Sequence, residues 1–303
     1  MVNVRFTVAE ADAGVRLDKL LAARPEIGSR SLSERLLFEQ AVRVDGEARA
    51  KSHRVEPGSV VEVEVPEREE DLVAEPVTVE VRHADEHLLI VDKPAGISVH
   101  PGAGQRKGTL AGQLVSLGAV GGEDPERSGI VHRLDRDTSG LLVVARSTVA
   151  YAALQEAIRS REIDRLYSVL VRGRPQSRTG RIDAPIGRDR RDPTRRSLDT
   201  DEPREAVTHF ELVEQLPERA LLDVRLETGR THQIRVHLAA IGLPVSGDKQ
   251  YGIPSDLGLE RQFLHAYRLT FRHPISGEEV DVMSTLPPDL DAALAKARSE
   301  TAK

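Results

Sequence analysis

His132-Arg133-Leu134-Asp135-Arg136-Asp137-Thr138-Ser139-Gly140 runs directly into Leu141-Leu142-Val143-Val144-Ala145. A charged loop that feeds an apolar run of strand length puts polar side chains at the rim of a cleft, on a rigid base. Asp137, Thr138, Ser139 and Gly140 are ordinary turn residues, but a turn does not account for two arginines set around Asp135. Outward from this stretch, strands are predicted over 78–81, 88–91, 167–171, 207–212, 221–226 and 263–271, several of them joined by turns such as 274–277. Helices are predicted after Ser147, with Ala150, Leu154, Ala157 and Ile158 inward, and over 231–241, with Ile234, Leu238 and Ile241 on one face. Strands that follow one another through turns predict an α+β catalytic core, a mostly antiparallel mixed sheet with flanking helices, in place of a doubly wound sheet.

The first 66 residues read as a separate small α/β module. Leu17, Leu20 and Leu21 have helical spacing, 31–38 predicts a second helix with Ser31 and Glu34 as a capping box, and 42–46 and 59–65 predict strands. Residues 67–76 form an acidic linker, 77–290 the larger domain and 291–303 a C-terminal tail.

Composition narrows the chemistry. The chain has 303 residues and no cysteine, which excludes disulfides, thiolate zinc sites, iron–sulfur clusters and a cysteine nucleophile. It has no tryptophan, so the core is aliphatic. No apolar run approaches the roughly 20 residues that span a bilayer, and Met1 to Arg5 has no signal-like character; a cytoplasmic protein without a membrane partner is expected. The net charge of −6 does not suggest nucleic-acid binding, but binding follows local charge. Arginines crowd residues 172–204, including Arg190, Arg191, Arg195 and Arg196, while Glu67 to Asp71 is acidic.

A second polar cluster is Gly229-Arg230-Thr231-His232-Gln233-Ile234-Arg235-Val236-His237. Arg235 lies one helical turn after His232, whereas His232 and His237, five apart, make a poor metal pair. On spacing alone a surface helix with solvated cations is the favoured reading. The glycine-rich loop 101–109 fails as a phosphate loop, because Lys107 precedes Gly108, and fails as a dinucleotide fingerprint, because Lys107 stands where a third glycine is needed. No cofactor or metal motif remains.

Five motifs in order, HRLDRDTSG (132–140), VDKPAGISVHPG (91–102), GRTHQIRVHL (229–238), GDKQYG (247–252) and LHAYRLTFRHPISGE (264–278), resemble the RluA family of RNA pseudouridine synthases, closest to its RluD-like branch acting on large-subunit rRNA. Residues 16–66 resemble the small RNA-binding domain shared by a ribosomal small-subunit protein and some tRNA synthetases. The resemblance implies an isomerase that needs no cofactor and acts as a monomer on structured RNA. It makes Asp135 the catalytic aspartate, Tyr167 the tyrosine against the target base, Arg235 the partner of the aspartate, and Arg133 the side chain that fills the gap left by a flipped nucleotide. His132, Arg136, His232 and Gln233 join the expected substrate contacts, with Arg190, Arg191, Arg195 and Arg196 on an RNA-gripping arm and Arg16, Lys19 and Arg30 on the small module. The family often has lysine two residues before the tyrosine; here it is Arg165, with charge kept and geometry changed.

The chemistry suits these roles. Isomerisation breaks N1–C1′, turns the uracil and rejoins it through C5. The carboxylate must be ionised, which a close arginine favours, and the uridine must leave its stack at a cost of a few kcal/mol. The alternatives are a tRNA-modifying member of the same family, a non-catalytic RNA-binding protein with a decayed second domain, or a hydrolase using Asp135 with Asp137. The decayed-domain reading predicts damaged catalytic positions, and the hydrolase is disfavoured because residues i and i+2 of an extended segment face opposite ways.

Overall fold

The computed structural model describes residues 2–27, 30–65, 74–101, 107–122, 129–192 and 194–300, without the side chains of Val2, Arg30 and Ser31. The chain divides into two units, Met1–Asp71 and Leu72–Lys303. The predicted cap at Ser31, the side chain of Arg30, most of the acidic linker and most of the glycine-rich loop lie outside the described residues.

The first unit contains β1 (Val2–Thr7), α1 (Leu17–Ala22), α2 (Arg30–Phe38), β2 (Val42–Val44), β3 (Glu47–Ala48) and β4 (Val60–Val65), with sheet order β1-β4-β2-β3. Period-two alternation buries Val61, Val63 and Val65 of β4. They pack on Leu17, Leu20 and Leu21 of α1 in a core confined to this unit. Sequence reading did not find β1, which supplies the edge partner of β4 from Val2↔Val65 to Thr7↔Val60.

The second unit carries β5 (Glu80–Ala84), β6 (Leu88–Lys93), α3 (Leu110–Ser116), β7 (Ser139–Ala145), α4 (Thr148–Arg159), β8 (Asp164–Arg172), β9 (Thr179–Asp183), β10 (Gly187–Arg188), β11 (Arg196–Ser197), β12 (Val207–Gln215), β13 (Arg219–Leu226), α5 (Gln233–Ala240), β14 (Leu264–Arg272), β15 (Glu279–Met283) and α6 (Pro288–Ser299). Its large sheet runs β5-β6-β7-β14-β8-β13-β12-β9, with β15 beside β14. All pairings are antiparallel except β7 with β14, which is parallel. The fold is therefore the expected α+β arrangement with a mostly antiparallel mixed sheet.

β7 is buried along its whole length because both faces of the sheet are covered. Leu142 and Val144 join α3 and α5 on one face, and Leu141, Val143 and Ala145 join Ala150 and Leu154 of α4 on the other. α6 covers the second face farther along, through Leu290, Ala293, Leu294 and Ala297 against Leu170 and Leu221. This corrects the reading of 291–303 as a tail: the apolar spacing 290, 293, 294, 297 is helical, and Arg219 in the sheet is hydrogen-bonded to Asp256 and Glu300. Glu75, placed in the linker, accepts the Gly108 N–H with both carboxylate oxygens, 3.0 and 2.9 Å, so the described end of that segment is fastened to the larger unit.

Gly140 makes the parallel contact possible. Its φ is +116°, and a Cβ there would lie 2.2 Å from the carbonyl oxygen of Ala266. The loop that holds Asp135 ends at this glycine.

Candidate active site

The loop 132–138 is anchored from below and from one side. Buried Lys93 on β6 donates to the carbonyls of Pro94, Ile97 and Arg136 at 2.8, 3.0 and 2.9 Å. Burial pushes the Lys93 ammonium down to about 7, while Asp135 and Asp137 favour its charge. Arg261 donates to the carbonyl of Asp137 and the hydroxyl of Ser139, Gln262 to Thr138, and Ser139 meets Nδ1 of His265 at 3.0 Å. The predicted turn is present, with the Thr138 N–H donating to the Asp135 carbonyl. Asp135 therefore projects from a loop whose backbone has few freedoms left.

Its carboxylate meets Arg235, whose Nη1 donates to Oδ2 at 3.1 Å. Arg235 is on α5, the helix expected on a surface; instead 233–238 are all buried and the arginine points into the cleft. A second carboxylate completes the cluster. Fully buried Asp248 takes Nε and Nη2 of Arg235 at 2.7 and 2.9 Å and the backbone N–H groups of Gln250 and Tyr251. Burial alone would raise the Asp248 carboxyl; Arg235 and those N–H donors outweigh it and hold it below the ordinary range. Burial likewise works against the charge of Arg235, yet the two aspartates raise its pKa above the usual value. The result is a fixed aspartate–arginine–aspartate chain with one end open to a cavity.

That cavity, about 390 Å³, is lined by Asp135, Arg235, Tyr167, Arg133, His132 and Arg165 among others. Tyr167 sits on β8, 4 % exposed, and burial raises its phenol pKa so that it stays protonated. Arg133 is exposed at the cavity. Asp137 is bound by Arg136 through both nitrogens, 3.0 and 3.1 Å. The two carboxylates therefore have different arginine partners, and Arg136 is exposed but already paired.

One expected substrate contact, Gln233, is spent inside the protein. The Gln233 amide accepts from Thr228 and the Arg230 N–H and donates to the Val207 carbonyl and Thr208 hydroxyl, which uses its hydrogen-bonding capacity. His132 accepts the Val143 N–H at Nε2, 3.0 Å, so its ring proton is on Nδ1, which is buried without a hydrogen-bond partner among the described residues. Burial, then the charge of Arg165, push its pKa down to about 3, and it stays a neutral wall of the cavity. His232 stands before α5 in the left-handed region, φ 59°, and its Nδ1 lies 2.9 Å from the Tyr251 hydroxyl.

Tyr251 also joins the arginine-rich segment to the site. Its ring centroid is 5.0 Å from the Arg235 guanidinium and 5.1 Å from that of Arg195, and its hydroxyl accepts the Arg196 N–H. Arg195 donates to the Gln250 carbonyl, and Arg190 pairs with Asp199 and Asp201. The segment expected as an RNA-gripping arm is a β10–β11 hairpin fastened at several points, with Arg191 exposed and Pro193 of its turn outside the described residues. In the first unit Arg16 is bound to Asp18 by both nitrogens, 3.0 and 2.9 Å, and Lys19 is exposed. Sequence reading quoted the motif containing Asp248 and Tyr251 but gave neither residue a role.

Residues 87–240 match the family model for RNA pseudouridylate synthase, and residues 15–61 match the S4 domain. The chain is 39 % identical over 296 residues to a Bacillus subtilis protein named Uncharacterized RNA pseudouridine synthase YlyB, covering 96 % of each chain. It is 39 % identical over 315 residues to a Xanthomonas campestris protein named Ribosomal large subunit pseudouridine synthase D, covering 98 % of this chain and 93 % of the other. The solved structure titled Human RNA Pseudouridylate Synthase Domain Containing 1 superposes with a TM-score of 0.58 at 28 % identity, over 72 % of this chain and 90 % of that one.

Proposed function

Because the chain belongs to the RNA pseudouridylate synthase family, we propose that it converts uridine to pseudouridine in large-subunit ribosomal RNA, with Asp135 as the catalytic carboxylate. The observation that carries the site assignment is the bond from Arg235 to Asp135, backed by Asp248. The arginine aims Asp135, and Asp248 keeps the arginine from turning away. Tyr167, on the same cavity, offers a flat apolar wall for an extruded uracil. Exposed Arg133 takes the space the base has left, which recovers part of the lost stacking.

Three relatives named Ribosomal large subunit pseudouridine synthase D, 37–39 % identical, favour ribosomal RNA over transfer RNA. The S4 match adds a second RNA-binding surface to the catalytic one. In this reading the enzyme works as a monomer in the cytoplasm, where the ribosomal RNA of its bacterial relatives is made and folded. Among the described residues no helix is long and apolar enough to cross a membrane.

The test is a pseudouridine map of unmodified ribosomal and transfer RNA, each incubated with the purified chain. Discrete new pseudouridines in large-subunit RNA are expected. Sites only in transfer RNA would move the substrate, and none in either would end the assignment.

A further inference from the structure

Among the described residues, Arg165 is a buried cation with no ion-pair partner. It is 4 % exposed, its Nε is shielded from solvent with no hydrogen-bond partner, and no described carboxylate pairs with it. Burying a guanidinium unpaired is costly, and a fold that tolerates it holds the charge for something that arrives later.

Its position says what. β8 alternates, so Arg165, Tyr167 and Val169 face one way. Arg165 lines the same cavity as Asp135 and Tyr167. Its Nη1 lies beneath the turn that leads to Arg235, where a Cβ on Gly229 would come within 3.2 Å. Arg235 pairs with both Asp135 and Asp248 while Arg165 pairs with neither, so Arg165 stands as a separate cation facing the space for the base.

We propose that Arg165 is the electrostatic partner of the negative charge that grows on the target uracil as its bond to the ribose breaks, an assignment that rests on the function proposed above. When N1–C1′ cleaves, its electron pair leaves with the base and spreads over N1, O2 and O4. The deficit at C1′ is met by the Asp135 carboxylate or by loss of a sugar proton. When C5 then joins C1′, the Asp135 carboxylate is released or the sugar proton is returned, and the ring is neutral; C5 then gives up its proton and N1 takes one, so it stays neutral. The charge is transient, so an arginine that meets it favours the transition state over bound substrate. Depth separates this from a phosphate contact: the phosphodiester runs at the rim, where Arg133 and Arg136 are exposed, whereas Arg165 lies at the level of Tyr167.

The test compares full-length wild type with Arg165→Gln, Arg165→Lys, Arg165→Met and Asp135→Asn on one RNA. It reads RNA Kd, single-turnover rate at saturating RNA, and Tm. Arg165→Gln should lower the saturated rate about 100-fold, as loss of one preorganised donor does, with Kd within about twofold, since a transition-state contact leaves ground-state binding alone. Arg165→Lys should recover part of the rate through its charge, and Arg165→Met should unfold no earlier than wild type, because it removes an unpaired buried charge. An unchanged rate in Arg165→Gln overturns the assignment. So does weaker binding with the saturated rate intact, which would put Arg165 on a phosphate, and so does a lowered Tm in all three variants, which would make it structural. A wild-type chain that forms no pseudouridine overturns the function beneath the assignment, and the assignment with it; conversion by wild type and not by Asp135→Asn keeps the two questions separate.

Discussion

Asp248 holds Arg235 with both carboxylate oxygens, at 2.7 and 2.9 Å, and leaves one edge of the guanidinium for Asp135. The hold is thirteen residues long in sequence and fully buried. It makes Asp248 a positioning residue, acting on the reacting carboxylate through an arginine.

Asp248→Asn should therefore cost about 2–3 kcal/mol of stability, the range for removing a charged hydrogen bond from a buried site. It should also lower the saturated turnover rate more than it weakens RNA binding. Chemical denaturation and single-turnover kinetics check the two parts, and a stable variant with full activity would deny Asp248 the role.

Asp135→Asn keeps the shape and removes the charge. Pseudouridine formation should vanish while RNA Kd stays close to wild type. Substantial residual conversion, measured on the same RNA, would remove Asp135 from the chemistry.

His132 gives the fold an acid sensitivity that precedes its carboxylates. Its folded pKa, about 3, is below the ordinary 6.5, so on acidification the unfolded chain takes up a proton that the native ring refuses. Stability from this group is complete above pH 6.5 and is lost progressively down to about pH 3. Between pH 6.5 and pH 5 the loss is about 2 kcal/mol. Tm measured across that window should fall, and His132→Asn should flatten the fall; parallel curves would refute the attribution.

Neutralising Arg190, Arg191, Arg195 and Arg196 together should flatten the salt dependence of RNA binding, the slope falling by about 1 for each phosphate that the protein no longer neutralises. Because Arg190 is already paired with Asp199 and Asp201, Arg191→Ala should account for more of the change than Arg190→Ala. An unchanged slope in the fourfold variant would make the hairpin a solvated loop.

Removing residues 1–71 should leave the larger unit folded, since each unit has its own core. Binding to a large folded RNA should weaken, while the saturated rate on a short stem-loop stays unchanged. A truncated chain with a much lower Tm, or with undiminished affinity for large RNA, counts against a separate binding module.

Much of the molecule was legible in the sequence because it is local. The polar loop before 141–145, the helical spacing of Leu17, Leu20 and Leu21, and the alternation of β4 each declare themselves within a few residues. The resemblance, carried by motifs in order, supplied Asp135, Tyr167 and Arg235. Roles that depend on who consumes a hydrogen bond were not legible. Gln233 has the chemistry of a substrate contact, and only its distant partners, Val207 and Thr208, show that it is occupied. Arg165 shows the converse: nothing in the sequence marks an arginine as buried and unpaired. α6 was missed although its signal was present, because alanine at 293 and 297 weakens the apolar pattern that Leu290 and Leu294 begin.

The parallel junction of β7 and β14, closed over Gly140 and by Ser139 against His265, joins residues 126 apart. Asp135 thus leaves the ribosome long before the strand and the loop that hold it in place. Arg235 and Asp248 also emerge late, and β14 later still. Closing so long a segment is slow compared with forming the local hairpins, so the reactive centre is among the last features of the molecule to mature. A nascent or prematurely ended chain carries the aspartate and the small module but has no means to aim the one or exploit the other, and RNA bound to such a fragment leaves unaltered.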